Sequence, residues 1–422
     1  MTRSAFPLST VRTTCYRPSN FSALTRNRSP YSIALLLAFV LLGFSSAQSQ
    51  TFTVLHTFTG PDGLTPYSGV TLDGAGNLYG TTYGGGSDGM GTVYQLKRHG
   101  SSYVHNQLHA FTGGADGGSP YGGVVFGPDG QLYGATLGGG LGGIVFALRP
   151  QPRICPTVSC PWTETMLYDI GVNGDFGAYY GQVAFDHSGN LYGTTAFGGR
   201  YGGGTVYQLS RSGGGWTGTT IYTFLGAYYP AHNVIIDGAG NLLGTTIEGG
   251  QYSAGTVFEL QPSGSGWTEQ ELASLGAPGT GGGYTSVGLI MDGAGNLYGA
   301  ESGCNPNASV FELSPSGNGW QLSVLYTWSV SLCGQGPWGN LVLDHEGNLY
   351  GTTYSLGAFG YGNIFKLTRN GSGWTYTDLY DFQNNGDGAY PTGDLSLDSA
   401  GVVYGTASGD QSGHGTVWKL TP

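Results

Sequence analysis

Seven aromatic side chains stand just ahead of a short apolar segment that the chain writes again and again: Tyr67, Tyr121, Tyr180, Tyr229, Tyr284, Trp338 and Tyr390. Flat rings set round one opening can stack on sugar faces or grip apolar side chains, and they need no charge to do it. The same rings could instead wedge between neighbouring units of the fold. These seven are the candidate ligand-binding residues.

Acid–base, nucleophilic and metal chemistry find less support. His56 and His109 share an outer-strand position held by Tyr168, Tyr222, Tyr326 and Tyr380 in other units. His187 and His345 fall in turns, and His232 alone faces the candidate mouth, so the histidines are not expected to cluster. No Gly-x-Ser-x-Gly elbow, HExxH pair or close acid pair stands where a site would form. Asp73 and Asn77 give a turn too few oxygens for calcium, which takes about six. Asp62, Asp116, Asp175 and Asp387 recur in Asp-Gly loops, where turn capping accounts for them. No catalytic residue, metal site or cofactor is expected.

The elements that position these residues follow from a repeat. DGAGNLYGTT at Asp73–Thr82 returns as DHSGNLYGTT at Asp186–Thr195 and DHEGNLYGTT at Asp344–Thr353, with looser copies from Gly127, Asp237, Asp292 and Asp398. The steps between copies are 54, 59, 51, 55, 52 and 54 residues. A period of that size with strand-like content marks a repeat architecture.

Each unit reads as four short strands. In the first, GVTL (Gly69–Leu72) runs into an Asp-Gly-Ala-Gly-Asn turn, followed by LYGTTYG (Leu78–Gly84), GTVYQLK (Gly91–Lys97) and YVHNQLHAF (Tyr103–Phe111). The second strand is apolar on consecutive positions, so both its faces are covered. Radially stacked four-stranded sheets cover it in that way, and the small Gly-Thr-Thr fits the narrow part of a wedge. The expected fold is all-β, a seven-bladed β-propeller of four-stranded antiparallel blades. TFTVLHTF (Thr51–Phe58) matches a fourth strand, whereas GTVWKL (Gly415–Leu420) ends the chain on a third. Pairing the two closes the ring and removes two free edges.

Function on such a scaffold concentrates where the loops are long. The second-to-third and fourth-to-first loops share one end, and they include GGGSDGMG (Gly84–Gly91), TGPDGLTPYSG (Thr59–Gly69) and NNGDGAYPTG (Asn384–Gly393). The aromatic candidates lie at this end.

Residues 1–47 read as a signal peptide and 48–422 as the propeller. The first 47 residues hold five arginines and no acid, and end in an apolar run, Ile33–Phe44, with Ser45 and Ala47 suited to a cut before Gln48. Twelve apolar residues suit a signal core and fall short of the ~20 of a spanning helix, so no membrane span is expected after cleavage. The remainder carries nine basic against 25 acidic groups, a formal charge of −16, which excludes nucleic acid as a partner class. An exported chain keeps disulfides. Cys155 and Cys160 share one inserted loop, while Cys304 and Cys333 lie in adjacent loops at the long-loop end, so the expected pairs are 155–160 and 304–333.

Copies such as DGAGNLLGTTIEGGQYSAGTVFEL (Asp237–Leu260) resemble the GloVer (Gloeo/Verruco) tandem repeats of secreted bacterial proteins, with their DGxGNLYGTT…GGxxxxGTVFxL signature. All seven units match, the Gly127 and Asp398 copies less closely. The resemblance implies export and often a C-terminal surface anchor, although this sequence ends at Thr421-Pro422 directly after a strand. It implies no agreed activity. Propeller lactonases and streptogramin lyases place charged or histidine ligands on inner strands. Here those strands read GVTL, GVVF, QVAF, NVII, GLIM, NLVL and DLSL, with Asp394 the sole ionisable residue. The expected protein is therefore an exported monomeric propeller binding an extracellular polysaccharide or protein surface. The alternatives are a lyase or lactonase and a passive envelope component.

Overall fold

The computed structural model describes residues 50–422 except 151–161, 179–180, 227, 231, 265, 278–283, 286, 304–306, 318 and 372. The signal segment, Tyr180, Cys155, Cys160 and Cys304 lie outside the described residues.

Seven four-stranded antiparallel sheets form a β-propeller. Blade 1 comprises Thr71–Leu72, Leu78–Thr82, Thr92–His99 and Ser102–Ala110 from first strand to fourth. Blades 2 to 6 span residues 125–169, 184–223, 235–274, 290–329 and 342–381. Blade 7 takes Ser396–Leu397, Val403–Ala407 and Thr416–Thr421 from the end of the chain and Thr51–Thr57 from its beginning. That N-terminal strand pairs antiparallel with the last one, from Thr51 opposite Thr421 to Thr57 opposite Thr416. The ring closes as the offset of the two ends requires. Among the described residues the only helical element is a single 3-10 turn, Ile170–Asn173.

The repeated motif is a set of local hydrogen bonds. Asp73 Oδ1 accepts from the Ala75 and Asn77 N–H groups at 2.9 Å each, and Oδ2 accepts from Asn77 Nδ2 at 2.7 Å and the Tyr79 hydroxyl at 3.1 Å. The same arrangement recurs at Asp186, Asp292 and Asp344. Every carboxylate oxygen is thus engaged in folding the turn, which is why the acid, the asparagine and the tyrosine keep their spacing.

The two threonines of Gly-Thr-Thr divide the work of cohesion. The first reaches the next blade: Thr81 Oγ1 donates to Gly122 O at 2.9 Å, Thr194 to His232 O at 2.8 Å and Thr245 to Val287 O at 3.1 Å. Thr406 of blade 7 donates to Ser68 O at 2.8 Å and carries the series round to blade 1. The second threonine binds within its blade, as Thr82 Oγ1 does with Thr92 Oγ1 at 2.8 Å. The second strand of blade 1 is buried along its whole length, as its unbroken apolar pattern implies.

Two glycine positions set the approach of one blade to the next. Gly91 has φ +92°, and a Cβ there would lie 2.7 Å from Cδ of Pro120, at the entry to blade 2. At the axis, a Cβ on Gly69 would lie 1.8 Å from the Asp394 carbonyl oxygen of blade 7. This contact corrects the expected four-residue inner strand. Only Thr71 and Leu72 pair with the second strand, because the first half of GVTL serves the blade-to-blade approach instead of the ladder.

Core clusters straddle the seams between blades. Phe58, at the end of the closing strand, is fully buried with Tyr404 and Val417 of blade 7 and Val70, Leu78, Tyr94 and Leu96 of blade 1. Farther out, fourth strands stack ring on ring: Phe52 on Tyr380 at 3.9 Å, Tyr326 on Tyr376 at 4.5 Å, and His56 on His105 at 4.5 Å.

Candidate binding site

The aromatic candidates are placed by an unusual backbone position. Eight residues ahead of the Asp turn stand Thr65, Ser119, Tyr229, Tyr284 and Tyr390, all left-handed with φ between 51° and 59°. Each of their carbonyls accepts from the residue just past the second strand of its own blade, as Tyr83 N–H does to Thr65 O at 3.0 Å and Ile247 N–H to Tyr229 O at 3.1 Å. Their N–H groups reach back to the preceding blade: Ser119 to Met90 O at 2.6 Å, Tyr229 to Gly203 O at 3.1 Å and Tyr390 to Tyr361 O at 2.8 Å. The kink therefore clamps the long loops of adjacent blades together. A bulky residue there costs about 1–3 kcal/mol.

The six described aromatics fall into two classes, which follow their two spacings of eight and six residues ahead of the turn. Tyr229, Tyr284 and Tyr390 occupy the strained position itself, whereas Tyr67, Tyr121 and Trp338 stand two residues beyond it. None of the six described candidates is buried, and Tyr284 is 44% exposed.

They gather in groups. Tyr67 and Tyr121 stack at 4.5 Å with 7° between planes, and Tyr83 meets both edge-on at 5.5 and 5.7 Å. Trp338 meets Tyr354 at 5.4 Å, Tyr354 stacks on Tyr390 at 5.0 Å, and Tyr361 meets Tyr390 at 5.9 Å. Phe197 bridges Tyr229 at 5.2 Å and the exposed Phe176 at 5.6 Å. Sequence reasoning missed Tyr83, Tyr354 and Phe197. The available signal was the ring that follows Gly-Thr-Thr in LYGTTY and LYGTTAF.

Between these groups lies an apolar cavity of about 340 Å³, lined by His232, Ile247, Tyr284, Thr285, Ser302, Cys333, Gly334 and Trp338. Trp338 is fixed in its wall by donation from Nε1 to Gly334 O at 2.8 Å. A much smaller axial cavity, about 20 Å³, shares His232 and Trp338 and adds Tyr67, Tyr121, Thr392 and Asp394. Asp394 is bound to the axis: its Oδ1 accepts from Asn340 N–H at 2.8 Å, while Asn340 Nδ2 donates to Asn233 Oδ1 at 3.1 Å. Burial pushes the Asp394 carboxyl up to about 6, against the opposing pull of the Asn340 hydrogen bonds. Burial lowers His232 to about 4, so its imidazole is neutral at physiological pH.

Two larger grooves, of about 420 and 410 Å³, lie among the Asp turns, one beside Asp292, Asp344 and Arg369 and the other beside Asp129 and Arg211. Their acids are engaged: Asp292 and Asp344 in turn bonds, and Asp129 with Arg211 Nη2 at 2.6 Å.

Contrary to expectation, two histidines do converge. His56 and His105 stack across the seam between blades 7 and 1, and His56 Nε2 lies 2.9 Å from Asp62 Oδ2. One comes from the N-terminal strand and the other from the fourth strand of blade 1, the same outer-strand stacking that joins Tyr326 to Tyr376. Cys333 stands at the wall of the apolar cavity and is engaged in an interaction, while its expected partner Cys304 lies outside the described residues.

A closed ring of seven four-stranded blades with aromatic loops clustered at one end defines a seven-bladed β-propeller. The chain belongs to the Gloeobacter/Verrucomicrobia repeat family, whose model matches residues 43–159, 153–331 and 279–422. No curated protein matches it. Similar solved structures include a putative 6-phosphogluconolactonase from Bacteroides fragilis, at 14% identity and TM-score 0.48, covering 90% of this chain and 99% of that one. A periplasmic gluconolactonase of Pseudomonas aeruginosa gives 16% identity and TM-score 0.46 over 81% of this chain and 96% of that one. The AofleA triple mutant of Arthrobotrys oligospora gives 14% and 0.43 over 79% and 91%. At these values the likeness carries no argument about the chemistry of this chain.

Proposed function

We propose that this protein is an exported binding propeller whose long-loop end takes a neutral polysaccharide. The observation that carries the reading is the aromatic face itself: all six described candidates keep exposed surface, and Tyr284 and Trp338 flank an apolar cavity of about 340 Å³. A wedge between blades would be buried, as Phe58, Phe111 and Phe224 are. Rings engage sugar faces without charge, and the acidic surface repels anionic polymers. Export is supported by the arginine-rich, acid-free start and its apolar run, with cleavage before Gln48, and pairs 155–160 and 304–333 belong to the same reading.

The rival is a lyase or lactonase, and one observation favours it, since His232 and Asp394 line the same axial cavity. That cavity is about 20 Å³, room for roughly one water and for no substrate. Binding is the better reading. Its test is an equilibrium binding screen of the mature protein against neutral polysaccharides, with Trp338→Ala and Tyr284→Ala variants alongside. Affinity for protein partners alone would replace the polysaccharide reading, and no ligand of any kind would leave a passive envelope component.

A further inference from the structure

We propose that His56, Asp62 and His105 form a zinc-binding clasp across the seam where the N-terminal strand closes the ring. One ligand atom from each of the three lies within 4.8 Å of the others. His56 Nε2 and Asp62 Oδ2 are 2.9 Å apart, close to the edge of about 3.3 Å that four-coordinate zinc with bonds of about 2.0 Å demands. Two imidazoles and one carboxylate are a ligand set that zinc takes, with water completing the tetrahedron.

The surroundings suit the role. The inner wall is Phe58, fully buried and edge-on to His56 at 4.8 Å, while His56 and Asp62 keep 19% and 24% of their side-chain surface open to solvent for entry. Asp62 is oriented from behind, its Oδ1 accepting from the Thr59 N–H and hydroxyl at 2.8 Å each. Such outer bonds hold a metal carboxylate in place. Burial lowers both histidines, His105 to about 4, so both imidazoles are neutral and able to ligate at neutral pH. Chelation requires the ring planes to converge, so one imidazole must turn out of the stacked arrangement about its second side-chain torsion, which is a broad one. The expectation of no metal counted loop oxygens and did not pair ring nitrogens from the outer strands of neighbouring blades.

The neighbouring seam supplies the control. There His109 Nε2 faces Asp116 Oδ2 at 3.4 Å, and Glu164 replaces the second histidine, its carboxyl pushed up to about 7 by burial and then by the charge of Asp116. One nitrogen and a half-protonated acid make a poorer site.

The test is thermal melting of the chelator-stripped mature protein with and without Zn²⁺. At a hundred-fold excess over Kd the melting temperature should rise by about 3–5 °C. The rise should vanish in His105→Gln and His56→Gln and persist in His109→Gln. Co²⁺ on the unmodified protein should give the visible absorption bands of tetrahedral coordination, a readout independent of whether the variants fold. No rise with Zn²⁺, an equal rise in His105→Gln, or no tetrahedral Co²⁺ spectrum would each overturn the clasp and leave the stacked pair as packing alone.

Discussion

Truncating Phe58 to alanine should weaken the whole ring, although Phe58 lies only seven residues past the first strand residue, Thr51. Its ring is 1% exposed, packs edge-on against Tyr94 at 5.1 Å and joins blade 7 to blade 1, while its N–H donates to Gly415 O at 3.0 Å. Removing a buried Phe side chain costs about 3–5 kcal/mol. Unfolding entropy is about 2.1 cal/mol/K per residue, which over roughly 370 residues gives about 0.8 kcal/mol per degree. The melting temperature should therefore fall by about 4–6 °C in calorimetry. Phe224→Ala is the matched comparison, since Phe224 N–H makes the same bond to Gly204 O at 3.1 Å in a blade whose four strands come from continuous chain. Equal losses are expected. A normal melt for Phe58→Ala beside a lowered one for Phe224→Ala would refute closure by the N-terminal strand, as would an unchanged melt of a chain starting at Gly60.

Three further outcomes are expected. Burial opposes ionisation of Asp73, Asp186, Asp292 and Asp344, but turn hydrogen bonds outweigh it and hold each carboxyl below its usual value, so the stability they contribute is present above pH ~3.8 and lost as pH falls through the folded values. Acid melts should steepen below that point, and Asp73→Asn should flatten the curve there. Asp394 is the opposite case: with a folded value of about 6, the native state gains stability as pH falls from above 6 toward 3.8, so at pH 8 the buried charge costs at most about 3 kcal/mol. Asp394→Asn, which keeps the acceptor for Asn340, should raise the melting temperature at pH 8 and change little at pH 4; a lowered one at pH 8 would contradict the burial argument. Non-reducing peptide mapping should return the pairs 155–160 and 304–333, and a cross-pair such as 155–304 would refute the loop assignments.

The period, the blade content and the Asp turn were legible because each is a local pattern repeated along the chain, and the closing offset because the two ends could be compared with that pattern. The axis was not. GVTL reads as a four-residue strand until Asp394 of another blade comes within a Cβ of Gly69. The two spacings of the aromatics could be counted, but not that the position of Tyr390 is left-handed while that of Tyr67 is not. His56 and His105 looked unrelated because they occupy different positions along their outer strands, and only the packing of neighbouring blades stacks them. Tyr83 and Tyr354 were overlooked as strand residues, although they lie just past the second strands and turn toward the loops.

The most direct measurement of the binding proposal is the affinity of Tyr284→Ala and Trp338→Ala for the neutral polysaccharide that the intact protein retains, taken with their melting temperatures. Each lost ring should weaken binding several-fold, in keeping with about 0.5–1.5 kcal/mol per aromatic contact beyond its buried area. The melting temperature should stay within about 1–2 °C for Tyr284→Ala, because that ring is 44% exposed. Unchanged affinity in both variants, with stability lost instead, would contradict a ligand-binding role for this face.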